Sequence, residues 1–471
     1  MKRIGLGLLC FIILLFSAAG CTGAGNKEES TSASSNGTQA KENVAITLGN
    51  WPTEAQDVEL KAIEDKLAVF TAKYPGITVN KDTWLYDTVS FLPKAASGQL
   101  PTVYKTWFTE PKKIIGAGYA ADVTDTMREY GWDKAVNPQV IEILSDNNRI
   151  YGVPLDGYIQ GLNINVKLFK DAGLVDSNGL PKYPQTYEEL AQFAQQVKEK
   201  TGKAGFGISC KNNEGGWQFM NIAWSFGTEF EKKVDGKWQA AFNSPEGVAA
   251  LQFIKDLKWK YAVLPDDALI DWSGLEKLYA TDQLAMRYVD MGDFGSAIDA
   301  YQMSKDSIAI ASVPAGPKGR FAQVGGTAYM FAPDASPEQL DACFKWLEVL
   351  GVSPDVNEDV LKAYEDGKKT ANEANYVVAF DSLPVWINEE LTAAKDKIRQ
   401  KYVNVNLDLF KDYMDTSKVT MHAEEPMYCQ ELYKALDNCI QEVLVERSAD
   451  PGKLLDEAAK SFQKDYLDKV K

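Results

Sequence analysis

The side chains best suited to bind or transform a ligand in this sequence are aromatic rings and carboxylates. The 471 residues include 11 tryptophans and 66 aspartates and glutamates, but a single histidine, His422. An indole or phenol ring stacks on the apolar C–H face of a pyranose, while carboxylates and amides pair with the hydroxyls at its rim. Such side chains suit a ligand that has an apolar face and a polar rim.

Catalytic arrangements are difficult to assemble from the other residues. One histidine cannot supply a metal cluster, and the sequence has no Gly-x-Ser-x-Gly turn, P-loop or dinucleotide-binding glycine pattern. A glycosidase needs only two carboxylates roughly 5 to 10 Å apart, but carboxylates are abundant in any acidic chain. Residues 176–179 (DSNG) begin like a calcium loop, yet Leu180 stands where a ligand is required. We expect no metal and no cofactor, and a glycosidase is the enzymatic alternative that these residues leave open.

The first twenty residues have the layout of an export signal. Lys2 and Arg3 precede an apolar run at residues 4–20, which is shorter than the roughly 20 apolar residues of a membrane-spanning helix. Residues 18–21 (AAGC) resemble a bacterial lipobox, with Ala18 in place of the usual leucine. The resemblance implies a signal peptide at residues 1–20, a diacylglycerol on Cys21, and attachment to the outer face of a cell membrane. The alternative is an ordinary secretory signal.

Composition describes the rest of the chain in outline. Residues 21–43 are polar and predict a flexible tether. The formal net charge of −16 disfavours nucleic acid as a partner. The four cysteines beyond the tether are predicted to be small buried core residues, with a disulfide as the alternative, and these are Cys210, Cys343, Cys429 and Cys439.

Hydrophobic periodicity predicts an α/β protein. The body after the tether exceeds the ~250–300 residues at which single cores stop growing, so two lobes are expected. A helix whose apolar face carries Leu60 and Phe70 lies between strands predicted at residues 45–49 and 77–79, which implies a parallel sheet. The alternation recurs, with strands predicted at 205–209 and 308–313 and a helix at 219–226. From about residue 383 the pattern becomes helical.

Several motifs carry a resemblance to a known family. Residues 151–154 (YGVP) and 165–174 (NVKLFKDAGL) resemble the hallmark of extracellular solute-binding proteins of ABC importers, family 1, which includes maltodextrin-binding lipoproteins. Weaker landmarks follow in the family's order over almost the whole mature chain, at residues 98–103, 184–190, 284–286, 313–317, 325–326 and 344–347. Thr102 departs from the family's usual aspartate. In the second landmark, Thr186 also has the pattern of a helix N-cap with Glu189 at N3.

The resemblance implies a two-lobed α/β fold of the periplasmic-binding-protein type II, with an interlobe cleft and a helical C-terminal region. Alignment of the landmarks assigns residues 44–155 plus 324–370 to the first lobe. Residues 156–323 plus 371–471 form the second. Ligand is expected between the lobes, at the carboxyl ends of sheet strands.

The resemblance also implies ligand-binding residues. Trp107 and Glu110 lie almost where maltodextrin binders have a sugar-contacting tryptophan and aspartate. Tyr158 falls at the position of a hinge-proximal carboxylate, a role that the nearby Asp156 could take. Trp217 resembles the stacking aromatic of the second lobe.

Further candidates rest on weaker placement. Trp386 resembles a late stacking tryptophan of the family, whereas Trp51, Trp84 and Asp87 are chosen on loop position alone. Asp290 and Asp293 follow a predicted strand and are ligand contacts or, alternatively, loop and helix-cap residues. Two other side chains are expected to lie outside the ligand site. Trp346 is predicted to be core, and Arg287 is expected in a surface ion pair unless the ligand is an acidic sugar.

The expected function is therefore a lipid-anchored, monomeric receptor without enzymatic activity. It would capture an oligosaccharide outside the cell, close its lobes and present the closed form to the permease subunits of an ABC importer. The alternatives are a receptor for a peptide or polyamine, and a ligand-sensing partner of a membrane kinase.

Overall fold

The computed structural model describes residues 44–289 and 294–470, and they begin with a strand, a helix and a second strand. Strand β1 (Val44–Leu48) pairs in parallel with β2 (Ile77–Lys81), and α1 (Asp57–Lys73) makes the crossover. Phe70 is fully buried on the inner face of the helix. The predicted β–α–β unit is confirmed.

The remaining strands and helices follow along the chain, and helices predominate in its C-terminal part. The other strands are β3 (Val103–Trp107), β4 (Ser145–Asp146), β5 (Arg149–Ile150), β6 (Gly152–Ile159), β7 (Gly161–Asn165), β8 (Glu231–Val234), β9 (Lys237–Ala240), β10 (Met286–Val289), β11 (Ile308–Ser312), β12 (Phe321–Phe331) and β13 (Thr420–Ala423). The other helices are α2 (Phe91–Ala96), α3 (Pro111–Gly116), α4 (Thr124–Glu129), α5 (Pro138–Ile143), α6 (Val166–Asp171), α7 (Tyr187–Thr201), α8 (Glu214–Phe226), α9 (Pro245–Trp259), α10 (Trp272–Ala280), α11 (Gly295–Asp299), α12 (Pro337–Leu350), α13 (Glu358–Glu373), α14 (Glu389–Gln400), α15 (Lys411–Met414), α16 (Cys429–Val445) and α17 (Pro451–Asp465).

The larger sheet is organised around β12. Its strand order is β13-β12-β3-β1-β2, and β6 pairs with β12 as well. The first half of β12 pairs in parallel with β13, whereas its second half pairs antiparallel with β3. Strand β6 runs antiparallel to β12 from Gly152 opposite Met330 to Ile159 opposite Val324. This one strand therefore joins chain segments that are hundreds of residues apart.

Gly325 lies between the two halves of β12, at a position where the structure has no room for a side chain. A Cβ atom there would lie 2.2 Å from the ring of Tyr158 on β6. At Gly326 a Cβ atom would lie 2.3 Å from the carbonyl oxygen of Asp156. The two glycines let β6 approach closely, and they leave the space that the Tyr158 ring occupies.

The smaller sheet has the order β10-β7-β11, and every residue of these strands is buried. The predicted strand at 308–313 is confirmed as β11. The strand predicted at 205–209 is wrong, because this segment makes only an isolated bridge, from Gly207 to Arg287 of β10. Its backbone instead divides its hydrogen bonds: Gly205 N–H donates to the carbonyl of Val263, and Gly207 N–H donates to Met286.

The C-terminal part of the described chain is mainly helical, as predicted. Cys429 and Cys439 both lie on α16, and the cysteines of the described residues are buried and unpaired, as expected. The N-cap prediction is also confirmed, because Thr186 Oγ1 accepts a hydrogen bond from Glu189 N–H at 3.1 Å. In the ranges 44–289 and 294–470, no helix is long and apolar enough to cross a membrane.

Helices α8 and α16 touch backbone to backbone at Gly216. A Cβ atom at this position would lie 2.4 Å from the carbonyl oxygen of Tyr433, whereas a Cβ at Gly367, on α13, would meet nothing within 4 Å. Both glycines lie within helices, where alanine has the higher intrinsic helix propensity. Only Gly216 is required by packing.

We therefore expect opposite effects from two alanine substitutions. Gly216→Ala should lower the free energy of unfolding by about 1–3 kcal/mol, because an overpacked contact outweighs the gain in helix propensity. Gly367→Ala should raise it by about 0.5–1 kcal/mol. Urea denaturation of both variants checks the prediction, and equal effects of the two substitutions would contradict it.

Candidate ligand-binding cleft

A cavity of about 350 Å³, here called the cleft cavity, lies where β3, β6, β12 and the starts of α8 and α16 meet. Its lining comes from distant parts of the sequence and consists of Trp107, Thr109, Asp156, Tyr158, Asn212, Asn213, Glu214, Trp217, Gly326, Thr327, Glu424, Gln430 and Tyr433. The set combines aromatic rings, carboxylates and amides. A volume of this size suits a small polar ligand with an apolar face.

A second cavity of about 560 Å³ adjoins the first and is here called the outer cavity. It shares Asn212, Asn213 and Gln430 with the cleft cavity. Its other lining residues are Thr88, Val89, Glu431, Lys434, Asp437, Asn438, Gln441 and Tyr466. Because the two cavities share three residues, together they form a groove that could hold a ligand longer than one ring.

Aromatic rings form one side of the cleft cavity. Trp107 is 45% exposed, which is unusual for a residue of its size, and its inner edge meets the Tyr86 ring at 5.7 Å between centroids. Trp217 meets Tyr158 edge to face at 6.2 Å and also contacts Trp272 at 5.5 Å. The rings hold one another in fixed orientations while leaving surface open to the cavity.

The start of α8 is held in place by a carboxylate from α16. Asp437 accepts hydrogen bonds from the backbone N–H groups of Asn213, at 2.8 Å, and Gly216, at 2.7 Å. Burial raises the pKa of Asp437 above its ordinary value, although these bonds oppose the shift. Glu214 accepts a bond from Trp272 N–H at 2.6 Å. The first turn of α8 therefore presents Glu214 and Trp217 from a rigid base.

Two further carboxylates complete the polar lining. Glu424 Oε1 accepts hydrogen bonds from Tyr433 Oη at 2.7 Å and from Gln323 Nε2 at 3.1 Å. Burial, with a smaller contribution from the charge of Glu110, raises the pKa of Glu424 to about 8. Asp156 Oδ1 accepts a bond from Thr327 N–H at 3.0 Å. These carboxylates can accept hydrogen bonds from a ligand on their remaining lone pairs.

Beside Glu424 lies a second pair of carboxyl groups. Glu425 is buried and accepts a hydrogen bond from Trp224 Nε1 at 3.2 Å, and burial raises its pKa to about 8. Burial also raises the pKa of Glu231, and the nearby charge of Glu425 raises it further. The two carboxyl groups therefore share a site in which at least one proton is retained at neutral pH.

Of the predicted ligand residues, the structure brings Trp107, Asp156, Tyr158 and Trp217 together in the cleft cavity. It places Glu110 elsewhere. That carboxylate is fully buried, accepts hydrogen bonds from Tyr86 and from Thr109 at 3.0 Å, and lies 2.5 Å from Lys113 Nζ. Its hydrogen-bonding capacity is used inside the protein.

The other predicted residues also lie away from the cleft cavity. Trp51 is buried and stacks on Trp346, which is core as predicted. Trp84 packs on Phe91 and Tyr104, and Asp87 accepts bonds from Val89 and Ser90 N–H at the start of α2.

Trp386 is 94% buried, packs edge-on against Trp132, and lines another cavity of about 730 Å³ beside α13 and α14, which shares Asp156 and Tyr158 with the cleft cavity. Cys21, Asp290 and Asp293 lie outside the described residues.

Sequence reasoning did not select Glu214, Glu424, Gln430 or Tyr433 for the site. Glu214 stands three residues before Trp217, so helical spacing could have suggested it. The others follow β13, and no local pattern marks that turn as part of the site.

The expectation that Arg287 forms an ion pair at the surface is wrong. Arg287 is fully buried, and its guanidinium lies 4.7 Å from the ring centre of Trp272.

A two-sheet α/β fold with an aromatic- and carboxylate-lined cleft is typical of a solute-binding protein. Residues 51–353 match the family of bacterial extracellular solute-binding proteins, and the chain belongs to this family. The resemblance read from the sequence motifs is thereby confirmed.

Solved structures show the same fold. A solute-binding protein from Thermotoga lettingae bound with α-D-tagatose has a TM-score of 0.63 at 18% identity, covering 89% of this chain and 99% of that chain. Maltose-bound MalE3 of T. maritima has a TM-score of 0.63 at 19% identity, with the same coverage. UgpB of Mycobacterium tuberculosis, in complex with glycerophosphocholine, has a TM-score of 0.66 at 15% identity and covers 89% and 98%. The predicted two-lobed α/β fold is confirmed by this similarity.

The carboxyl groups near the cleft predict a pH dependence of stability. Because the pKa of Glu425 is about 8 in the folded protein and ordinarily about 4.5, the folded state retains a proton that the unfolded state releases between these values. The free energy of unfolding should therefore fall as pH rises from 4.5 to 8. In Glu425→Gln, the fall in the free energy of unfolding over this pH range should be smaller by roughly 1–4 kcal/mol.

Urea denaturation at pH 5, 6.5 and 8 measures the effect. Glu129→Gln is the matched control, because Glu129 is exposed at the end of α4 and the variant should keep the wild-type slope. Parallel pH profiles for the wild type and Glu425→Gln would contradict the prediction.

Proposed function

We propose that this solute-binding protein captures an oligosaccharide in the cleft cavity and delivers it to the permease of an ABC importer. One observation carries the proposal: Trp107, Tyr158 and Trp217 line the same cavity as the carboxylates Asp156 and Glu214. Rings supply apolar faces for pyranose C–H groups, and carboxylates accept hydrogen bonds from hydroxyls. The sugars named for two of the similar structures, tagatose and maltose, agree with this chemistry.

The amide side chains fit the same ligand. Asn212 and Gln430 line both cavities, so an oligosaccharide that leaves the aromatic part of the cleft meets amide donors and acceptors in the outer cavity. Gln430 Nε2 also donates to Thr109 Oγ1 at 3.4 Å, which connects the turn after β3 to α16. Contacts of this kind join the two sides of the cleft and would strengthen when a ligand draws them together.

Closure of two lobes around the ligand follows from the proposed division at residues 44–155 plus 324–370 and 156–323 plus 371–471. Strands β6 and β12 contain two of the proposed crossing points, near residues 155 and 324, and they run side by side. A ligand that contacts both lobes binds the closed form better and shifts the population toward it. The permease would recognise the closed form of a monomeric receptor.

Anchoring through a lipid on Cys21 completes the proposal. Two or more acyl chains hold a protein stably at a membrane, whereas one holds it marginally. The polar residues 22–43 would let the binding domain move at the outer face of the membrane. Globomycin treatment and metabolic labelling with a fatty acid, compared between the wild type and Cys21→Ser, test the anchor.

Ligand class is tested by thermal melting followed with tryptophan fluorescence. Neutral and acidic oligosaccharides, peptides and polyamines are added separately, and a ligand at 100 times its Kd should stabilise the protein by about 2.7 kcal/mol. A raised midpoint with an oligosaccharide that remains chemically unchanged on long incubation supports a sugar receptor. A raised midpoint confined to peptides would contradict the proposal, and cleavage of the sugar would indicate a glycosidase.

Removing a ring from the cleft should weaken binding of the oligosaccharide found in that panel. We expect Trp217→Ala and Trp107→Ala each to reduce affinity by about 1–3 kcal/mol, because the stacking surface is lost. Trp238→Ala is the matched control, since Trp238 lies on the β8–β9 hairpin and does not line the cleft cavity. Isothermal titration calorimetry provides the affinities, and unchanged values in both cleft variants would exclude this site.

A further inference from the structure

The charge of the groove is strongly one-sided. Among the described residues that line the cleft and outer cavities, there is one ammonium group, that of Lys434, and there are five carboxylates: Asp156, Glu214, Glu424, Glu431 and Asp437. Lys113 lies outside this lining; its charge lowers the pKa of Glu431, but its ammonium group lies 2.5 Å from the buried carboxylate of Glu110. The lining of the groove therefore contains more acidic side chains than basic ones.

Burial disfavours the charged form of four of these carboxylates. Burial is the first cause of a raised pKa at Glu214, Glu424, Glu431 and Asp437. Glu431 Oε2 is buried and has no hydrogen-bond partner among the described residues. A buried carboxylate is retained at lower free-energy cost when a cation or a set of donors reaches it. A ligand with positively charged donors would provide both.

The same cavity contains the rings that attract cations. Trp107, Trp217, Tyr158 and Tyr433 line it, and a cation within about 6 Å of such a ring is attracted to its electron-rich face. Glu214 and Trp217 lie one turn apart on α8, so a carboxylate and an indole stand side by side on one helical face. This spacing suits a sugar ring that stacks on the indole while a substituent at its rim meets the carboxylate.

We propose that the oligosaccharide bound in this groove is an amino sugar, with at least one pyranose unit carrying a protonated amine. The inference rests on the proposed sugar-binding function and specifies the class of ligand. Glu214 and Glu424 bind the ammonium group, and the neighbouring rings stack on the sugar. Acidic oligosaccharides are rejected, because their carboxylates would face those of the protein.

The test compares sugars that differ only in charge. Each pair consists of an oligosaccharide of 2-amino-2-deoxyglucose and the glucose oligosaccharide of the same length and linkage, in α-1,4 and β-1,4 forms, titrated into the full-length protein at pH 6.5. In at least one pair the amino sugar should bind about tenfold tighter or more, which corresponds to about 1.4 kcal/mol. Raising the salt concentration should reduce the preference.

Substitutions locate the effect. Glu214→Gln and Glu424→Gln keep the side-chain shape, and each should reduce several-fold the ratio of the affinity for the amino sugar to the affinity for its neutral counterpart. Glu129→Gln, at an exposed position outside the groove, should leave both affinities unchanged. Near-ultraviolet circular dichroism confirms that each variant is folded.

A proton measurement separates direct contact from a structural role. Because the pKa of Glu424 is about 8, this carboxyl group is mainly protonated at pH 6.5, and a bound ammonium group should expel its proton. Calorimetry in two buffers of different ionisation enthalpy should detect the release for the wild type and not for Glu424→Gln. A merely structural role for Glu424 would leave no such release.

The outcomes are distinguishable. The amino-sugar inference would be overturned by equal affinity within every pair, by no binding of either member, or by tighter binding of the neutral member. Binding of a neutral sugar would still support the proposed sugar receptor. Tight binding of spermidine with no binding of any sugar would overturn both the inference and the proposed function.

Discussion

The pairing of β12 on both of its edges is the constraint on which the rest of the structure depends. One edge carries β6 along most of its length, and the other carries β13 and then β3. Every backbone N–H and C=O group of a buried strand requires a partner, so these pairings fix the positions of four chain segments at once. Gly325 and Gly326 lie where the partner on the second edge changes, and their missing side chains admit β6 and the Tyr158 ring. The cleft opens at this point.

A second set of contacts positions the far wall of the cleft. Gly216 allows α8 and α16 to touch, and Asp437 binds the N–H groups at the start of α8. This arrangement directs Trp217 into the cavity from a helix that cannot easily rotate. The cost is a concentration of buried carboxyl groups, whose pKa values are raised because burial disfavours their charged forms. Binding sites commonly retain such unfavourable groups because a ligand satisfies them.

Local structure could be read from the sequence wherever the signal was itself local. The helix N-cap at Thr186, the β–α–β unit and the burial of Trp346 depend on residues a few positions apart or on strong apolar periodicity. The segment 205–209 has a strand-like composition, but its backbone hydrogen bonds are divided between Val263 and Met286, so it forms an isolated bridge and no strand. Its conformation was decided by partners far along the chain, which no local pattern records.

The sequence by itself determined the family and several of the local elements, because these are encoded in motifs and in hydrophobic spacing. Only the tertiary structure decided which tryptophans face the cavity and which face the core. Trp107 is exposed and Trp386 is buried although both follow strand-like or proline-containing segments. The hydrogen bond from Gln430 to Thr109 spans 321 positions. Residues that far apart meet only after the sheets and helices have packed, so their proximity is a property of the whole fold.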